Sequence, residues 1–331
     1  MPSADPSRRQ LLSSALLCGA GLSAPTALWA QAPRYPSRPV RLIVPNAPGS
    51  SVDTIGRLVG QQLTPLLGQA MVVDNKAGAA GAVGMDAGKF ATPDGYTLIV
   101  ASSSSTTVAP LLQKAVNYDP LKDFELISLI ALLPNVLVCR TSLPVNKLSE
   151  FVAYAKAQGG RFNMASAGPG SVSHLAGVAL SAAAGFEALH VPYKGGSQSV
   201  GSVVSGETDW TLTPAPAAMA LVKGGRLKAL GHSMPKGTQP LGTVAAIAET
   251  LPGFEFASWI GLMAPKGLPA EVTDLLRRQL AQALQSKELR DAFAVHGAVP
   301  TSTTGEVFRE FLTRDIEQTR KAVRLAGVQA E

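Results

Sequence analysis

Short β-branched runs alternate with stretches of helical spacing along most of this chain. Val40-Arg41-Leu42-Ile43-Val44, ended by Pro45, predicts a strand, and Ile55, Leu58, Val59, Leu63 and Leu66 then recur at helical spacing. Val72-Val73 leads into a glycine-rich turn, 81–90 reads as a helix, and Pro93-Asp94-Gly95 turns into the strand Tyr96-Thr97-Leu98-Ile99-Val100. The middle third repeats the style. It predicts strands over 125–133 and 136–139 around Pro134-Asn135, a helix over 149–156, a short strand at 163–165, a helix over 171–184, and strand segments at 190–191 and 210–212. Trp259-Ile260-Gly261-Leu262-Met263 predicts a further strand, and helices over 271–284 and 306–323 follow. Such alternation predicts an α/β protein of parallel strands with helices on both faces.

No repeat, low-complexity tract or flexible linker interrupts the pattern. A chain that builds one α/β unit, crosses to a second and crosses back gives two lobes around a cleft. The apolar runs near 126–139 and 256–263 are the expected crossings. The lobes are then 33–133 plus 257–331, and 134–256.

The segment before the first strand reads as an address. Ser7-Arg8-Arg9-Gln10-Leu11-Leu12 and the apolar stretch through Trp29 form a secretory signal of the twin-arginine type, with cleavage expected after Ala30. Gly19, Gly21 and Pro25 break the run short of the ~20 apolar residues that a spanning helix needs. Leu17 disfavours a lipid anchor on Cys18. Removing 1–30 lowers the net charge from +6 to +5 and leaves Cys139 as the sole cysteine, so no internal disulfide forms at an oxidising destination. The expected location is the periplasm.

Composition narrows the function. The chain has 331 residues, enough for about two domains, and 46 % hydrophobic against 16 % charged residues excludes a disordered chain. Two cysteines exclude a four-thiolate zinc site. No basic stripe accompanies the net charge, so nucleic acid is not an expected partner.

The loops carry the chemistry. Asn46-Ala47-Pro48-Gly49-Ser50-Ser51-Val52-Asp53 feeds a helix, whose first amides lack intrahelical partners and attract anions. Plain capping by Ser51 or Asp53 is the simpler reading of the same residues, and Asp53 is expected to tie up loop amides. Gly78, Gly81 and Gly84 match neither the dinucleotide fingerprint nor a phosphate loop, but their turn can offer amides. Ser102 to Thr107 follow a strand's carboxyl end, where ligands of open α/β sheets sit. Ser166-Ala167-Gly168-Pro169-Gly170-Ser171-Val172-Ser173-His174 is a second glycine–hydroxyl loop entering a helix, where the dipole favours a neutral His174. Val191-Pro192-Tyr193-Lys194-Gly195-Gly196-Ser197 adds a phenol and an ammonium.

Enzyme chemistry is poorly supported. No Gly-x-Ser-x-Gly elbow occurs at a strand–helix junction, and no carboxylate pair stands near the glycine loops. His174, His190, His232 and His296 lack metal-ligand spacing, and each is expected to be a hydrogen-bonded structural residue. No cofactor or metal is expected.

An ordered series of motifs completes the reading. They are Tyr35-Pro36-x-x-Pro39-Val40-x-Leu42-Ile43-Val44-Pro45, Val73-Asp74-Asn75-Lys76-x-Gly78-Ala79 and Pro93-Asp94-Gly95-Tyr96-Thr97-Leu98. Tyr118-Asp119-Pro120-x-x-Asp123-Phe124, Ser171-x-x-His174-Leu175-Ala176 and His190-Val191-Pro192-Tyr193-Lys194-Gly195 follow. In this order they make the mature chain resemble, over nearly its whole length, the Bug-type periplasmic receptors of tripartite tricarboxylate transporters.

The resemblance implies a two-lobed, type II-like periplasmic-binding-protein architecture that closes on a small carboxylate. It implies a grip of backbone amides, hydroxyls and bridging waters, with membrane permease subunits as partners. Two departures matter. Ser50 stands where the family's first loop usually has a second glycine, and Thr213-Pro214-Ala215-Pro216 lacks the acidic residue often found there. The second departure favours carboxylates without an amine. The expected ligand contacts are Ser50, Ser51, Gly78, Ala79, Ser102 and Ser103 from one lobe, and Ser166, Gly168, Ser171, His174, Tyr193 and Thr213 from the other. Trp259 and Tyr193 could stack an aromatic ring, although core packing suits Trp259 better. The protein is expected to be a monomer. The rival readings are a secreted serine hydrolase using Ser171 with His174, and a receptor recruited for sensing.

Overall fold

The computed structural model describes residues 35–193 and 195–329. The expected signal segment, Cys18 and Lys194 lie outside the described residues.

The first expected strand forms as β1 (Val40–Val44), buried except for Arg41. Helix α1 (Ser51–Leu67) and strand β2 (Met71–Asn75) follow, then a short 3₁₀ turn, α2 (Ala82–Lys89) and β3 (Thr97–Ser102). β1 runs parallel to both β2 and β3. The long strand β4 (Phe124–Leu133) ends at Pro134, and β5 (Asn135–Arg140) begins a different sheet.

That second sheet repeats the plan with α4 (Leu148–Ala157), β6 (Asn163–Ser166), α5 (Val172–Ala184), β7 (Leu189–Pro192), α6 (Gly196–Ser205), β8 (Trp210–Pro214), α7 (Ala215–Lys223) and β9 (Leu227–His232). The intervening α3 is the single turn Ala109–Leu112. The chain returns through 233–257 to β10 (Ser258–Pro265). Then come α8 (Ala270–Gln285), α9 (Lys287–Val295), the two-residue β11 (Val299–Pro300) and α10 (Gly305–Ala326).

The strand orders are β2-β1-β3-β10-β4-β11 and β7-β6-β8-β5-β9. Each sheet therefore holds three parallel strands followed by one that has crossed from the other lobe. These crossing strands correct the expectation of parallel sheets: β10 pairs antiparallel with β3 and β4, and β5 pairs antiparallel with β8 and β9. The hydrophobic period marks a strand but not its direction, which is set by the side from which the chain re-enters.

Each lobe has its own core. Ile43, Met85, Ile99, Phe124, Trp259, Phe308 and Leu312 pack in the first. Trp259 is fully buried there, and its indole N–H donates to Asp315 at 2.7 Å. In the second lobe Phe151, Phe162 and Phe186 surround Trp210, with the Phe151 ring centroid at 5.5 Å and an edge-on angle of 80°. That geometry suits the aromatic quadrupoles. Cys139 is buried in this core, and burial pushes its thiol up to about 11, so it is an inert apolar filler.

Two devices join the lobes. Asn135, fully buried, accepts at its carbonyl from the Ser233 amide, donates its own amide to the Ser233 hydroxyl and its side-chain amide to the Phe256 carbonyl, and accepts from the Ser258 hydroxyl. It staples the outgoing and returning segments together. An apolar cluster of Val108, Leu112, Leu175 and Ala322 also packs the end of α10 against α5.

The serine run 102–107, at the carboxyl end of β3, is helical and largely buried. Residues Ser104–Val108 form a π-helical turn, and Ser102, Ser103, Ser105, Thr106 and Thr107 are buried. The hydroxyls serve the turn's own backbone: Thr107 donates to the Ser103 carbonyl at 2.7 Å, and Ser105 to the Ser102 carbonyl at 3.2 Å.

Candidate functional site

The carboxyl ends of β1, β6, β7 and β8 all open onto one cavity of about 510 Å³. Each of these strands is followed by a helix whose first turn lines that cavity: Ser51 of α1, Val172 and Ser173 of α5, Gly196 and Ser197 of α6, and Pro216 and Ala217 of α7. The first amides of a helix have no intrahelical acceptor and carry the positive end of its dipole. Four such ends converge here, although at α7 the Ala215 amide donates to the Pro134 carbonyl and Pro216 has no N–H, which leaves the Ala217 amide as its donor. The described wall contains no Lys, Arg, Asp or Glu, and its one ionisable side chain is His296. Ile55, Leu133 and Pro214 supply apolar surface.

The first lobe's turn is built around Asp53. Ser50, not Ser51, is the N-cap of α1: its hydroxyl accepts from the Asp53 amide at 3.2 Å. The Asp53 carboxylate, almost wholly buried, accepts from the Gly49 amide (2.8 Å), Arg57 Nε (3.0 Å) and Asn75 Nδ2 (2.8 Å). Burial works against its charge, but the bonds from Arg57, Gly49 and Asn75 outweigh it and hold the carboxyl below its ordinary range. With Gly49 and Asp53 amides engaged, the Ser51 and Val52 amides remain as the free first-turn donors. Asp53 thus ties up loop amides, as its position in the first turn suggests.

The second lobe's turn uses neutral groups. Ser171 caps α5, accepting from the His174 amide at 3.3 Å while donating to the Gly168 carbonyl at 2.7 Å. The Ala167 amide is held by Ser173 Oγ (2.9 Å), the Gly168 amide by Ser166 Oγ (3.1 Å) and the Gly170 amide by His174 Nδ1 (3.1 Å). His174 stacks on His190 at 3.7 Å and 10°, and His190 Nε2 lies 2.6 Å from Ser166 Oγ. Burial, helped by the neighbouring His190, pulls His174 down to about 4, and burial also lowers His190. Both imidazoles are neutral at pH 7, and the Val172 and Ser173 amides are left for the cavity. Because the His174 ring accepts from Gly170 rather than from Ser171, this pair is not arranged as nucleophile and base, and nothing in the site supports the hydrolase reading.

Of the expected contacts, Ser50, Ser51, Ser171 and Thr213 stand on the cavity wall. Ser166, Gly168 and His174 lie behind it, within the network that shapes the second turn. Ser102 and Ser103 are buried away from it, the Ser102 hydroxyl beside that of Ser105 and the Ser103 hydroxyl accepting from the Trp259 amide. Tyr193 packs its ring against the apolar cluster of Val200, Val203 and Ala218. Gly78 and Ala79 are exposed on a strained turn, where Ala79 and Ala80 hold left-handed φ of 45° and 54°. Sequence reasoning missed Ser173, Ser197 and His296. Ser173 and Ser197 sit in the same strand–turn–helix pattern as Ser51 and could have been found there. His296 arrives on α9 with no local motif.

A two-lobed α/β chain with such a cleft has the architecture of a periplasmic binding protein. Among known proteins the chain belongs to the tripartite tricarboxylate transporter family of receptors, whose family model matches residues 55–327. It is 34 % identical over 310 residues to protein BugT of Bordetella pertussis, covering 93 % of this chain and 94 % of that one. An R. palustris protein solved with adipate superposes with a TM-score of 0.79 at 29 % identity, over 90 % of this chain and 100 % of that one. MatC of Rhodopseudomonas palustris, solved with bound malate, gives 0.73 at 29 % identity, over 87 % and 100 %. Among the described residues no helix is long and apolar enough to cross a membrane, and no cluster of three His, Cys, Asp or Glu is placed to hold a metal.

Proposed function

We propose that the cleft captures a small organic mono-, di- or tricarboxylate in the periplasm and delivers it to the membrane permease subunits of a tripartite tricarboxylate transporter. The convergence of four helix N-termini on a cavity without acidic side chains carries this reading. Each hydrogen bond to a charged group nets ~1.5–3 kcal/mol, so a few amides and hydroxyls from each lobe reach the ~8 kcal/mol of micromolar binding. Relatives that hold adipate and malate support the same chemistry. No Asp or Glu on the described wall is available for a ligand ammonium, which favours acids without an amine.

In this reading Ser50, Ser51, Ser171 and Thr213 touch the ligand together with the first-turn amides, and Ser166, Gly168 and His174 shape the second turn. The protein acts as a monomer of two lobes, 33–133 plus 257–331 and 134–256, exported as a twin-arginine precursor whose residues 1–30 are removed. Closure follows binding because only the closed state brings both sets of donors onto one anion.

A thermal-shift screen of the mature protein against a carboxylate library tests the reading, since a ligand that binds only the native state raises the melting temperature. Small carboxylates should raise it and matched alcohols and amines should not. A response to neutral or cationic solutes alone would overturn it. Uptake and signalling assays on a deletion strain separate transport from sensing.

A further inference from the structure

Three of the four histidines meet the expectation of structural, hydrogen-bonded residues. His174 accepts from the Gly170 amide and His190 pairs with Ser166, while His232 accepts from the Met234 amide at 3.3 Å and reaches the Thr238 carbonyl at 3.2 Å. His296 differs. It is half-buried on the cavity wall, and its ring makes no hydrogen bond or ion pair among the described residues.

Its position is fixed from both sides. His296 is the residue after the last turn of α9, with φ −93° and ψ 5°, and its amide donates to the Phe293 carbonyl at 2.9 Å. Gly297 follows with a left-handed φ of 63°, and a Cβ there would stand 3.2 Å from both Ala215 and Leu241 of the other lobe. The turn is therefore pressed against the second lobe and holds the imidazole at the cleft. A helix C-terminus presents carbonyl oxygens, which repel a carboxylate. An imidazole at that end supplies an N–H donor where the helix itself offers only acceptors.

We propose that His296 is the specificity-determining residue of the cleft: it receives a second carboxylate, and the preferred ligand is a dicarboxylate joined by a short hydrocarbon chain. This rests on the carboxylate reading of the same cavity. The four helix starts grip one end of such a molecule, Ile55, Leu133 and Pro214 suit its methylene groups, and the unpartnered imidazole takes the far end. A monocarboxylate satisfies the helix starts and leaves that donor without a charged partner.

Titration calorimetry of the mature protein with straight-chain diacids from succinate to adipate, and with the monoacids of equal length, tests this directly. The wild type should bind its best diacid about ten- to a hundredfold more tightly than the matched monoacid, the margin of one hydrogen bond to a charged group. His296→Ala should lower diacid affinity by about that margin and monoacid affinity by much less, and His296→Gln, which keeps an N–H donor, should restore part of the diacid margin. Thermal unfolding of the free variants shows whether each is folded. No diacid margin in the wild type, or a margin that survives His296→Ala, overturns the role of His296. So does equal weakening of both ligand classes in a folded variant. Binding of neither class by the wild type overturns the carboxylate reading itself.

Discussion

The turns that open α1 and α5 have one geometry and two chemistries. Both follow a buried parallel strand, both place a serine at the N-cap, and both leave two first-turn amides facing the cavity. The first is held by a buried carboxylate bonded to Arg57, Asn75 and Gly49. The second is held by stacked neutral imidazoles and three serine hydroxyls. A receptor needs its free amides aimed at the anion and all the others satisfied. How the others are satisfied is open to either solution. A carboxylate below its ordinary range keeps its charge throughout the physiological interval, whereas histidines must stay uncharged to accept a bond.

The sharpest way to break the comparison is Asp53→Ala. It strips partners from Arg57, Asn75 and the Gly49 amide, and should cost about 2–3 kcal/mol of stability in denaturant titrations. It should also weaken carboxylate binding about tenfold or more in calorimetry. Unchanged binding would mean that Asp53 does not hold the first turn. Next, His174→Ala removes the stacking partner of His190 and the acceptor of the Gly170 amide, for an expected loss of about 2 kcal/mol by the same measurement.

Acidification should separate the two turns. His174 falls from an ordinary 6.5 unfolded to about 4 folded, so between these values the unfolded chain binds the proton first. Stability is therefore full above pH 6.5 and is lost as pH falls toward 4, by about 1–2 kcal/mol between pH 7 and 5. Asp53, held below 3.8, stays ionised across that window. His174→Gln should flatten the pH dependence of the melting temperature, and an equally steep profile in that variant would remove His174 as its cause. The smallest effects are expected from Ser50→Ala and Ser171→Ala, about 1 kcal/mol each as lost N-caps. A much larger loss at Ser171 would show that its second bond, to the Gly168 carbonyl, matters more than its capping role.

Much of this was legible in the residues. The alternation of Val40–Val44, α1 and the later strands fixed the class of fold, and the glycine–serine turns after β1 and β6 put Ser50, Ser51 and Ser171 among the candidates that stand on the wall. Two kinds of information were not local. The direction of β10 depends on where the chain returns from, which periodicity does not encode. The hydroxyls of 102–107 look like a solvated loop, yet their bonds to their own backbone let the segment sink into the core beside Trp259. His296 illustrates the same limit at the site, because α9 carries it to the cleft by packing against α1 rather than by any sequence neighbour.

The apolar cluster shared by Leu112, Leu175 and Ala322 has a mechanical consequence. Pulling these side chains apart would expose hydrocarbon to water at roughly 25 cal/mol per Å². Sliding them past one another would not. The jaws are thus expected to shear about the tail helix instead of gaping, with small travel at the rear and larger travel at the mouth. Spin labels on Lys321 and Ala183 should then keep nearly constant separation between empty and loaded protein, while a pair spanning Thr54 and Gly201 changes; large movement in the rear pair would rule the pivot out.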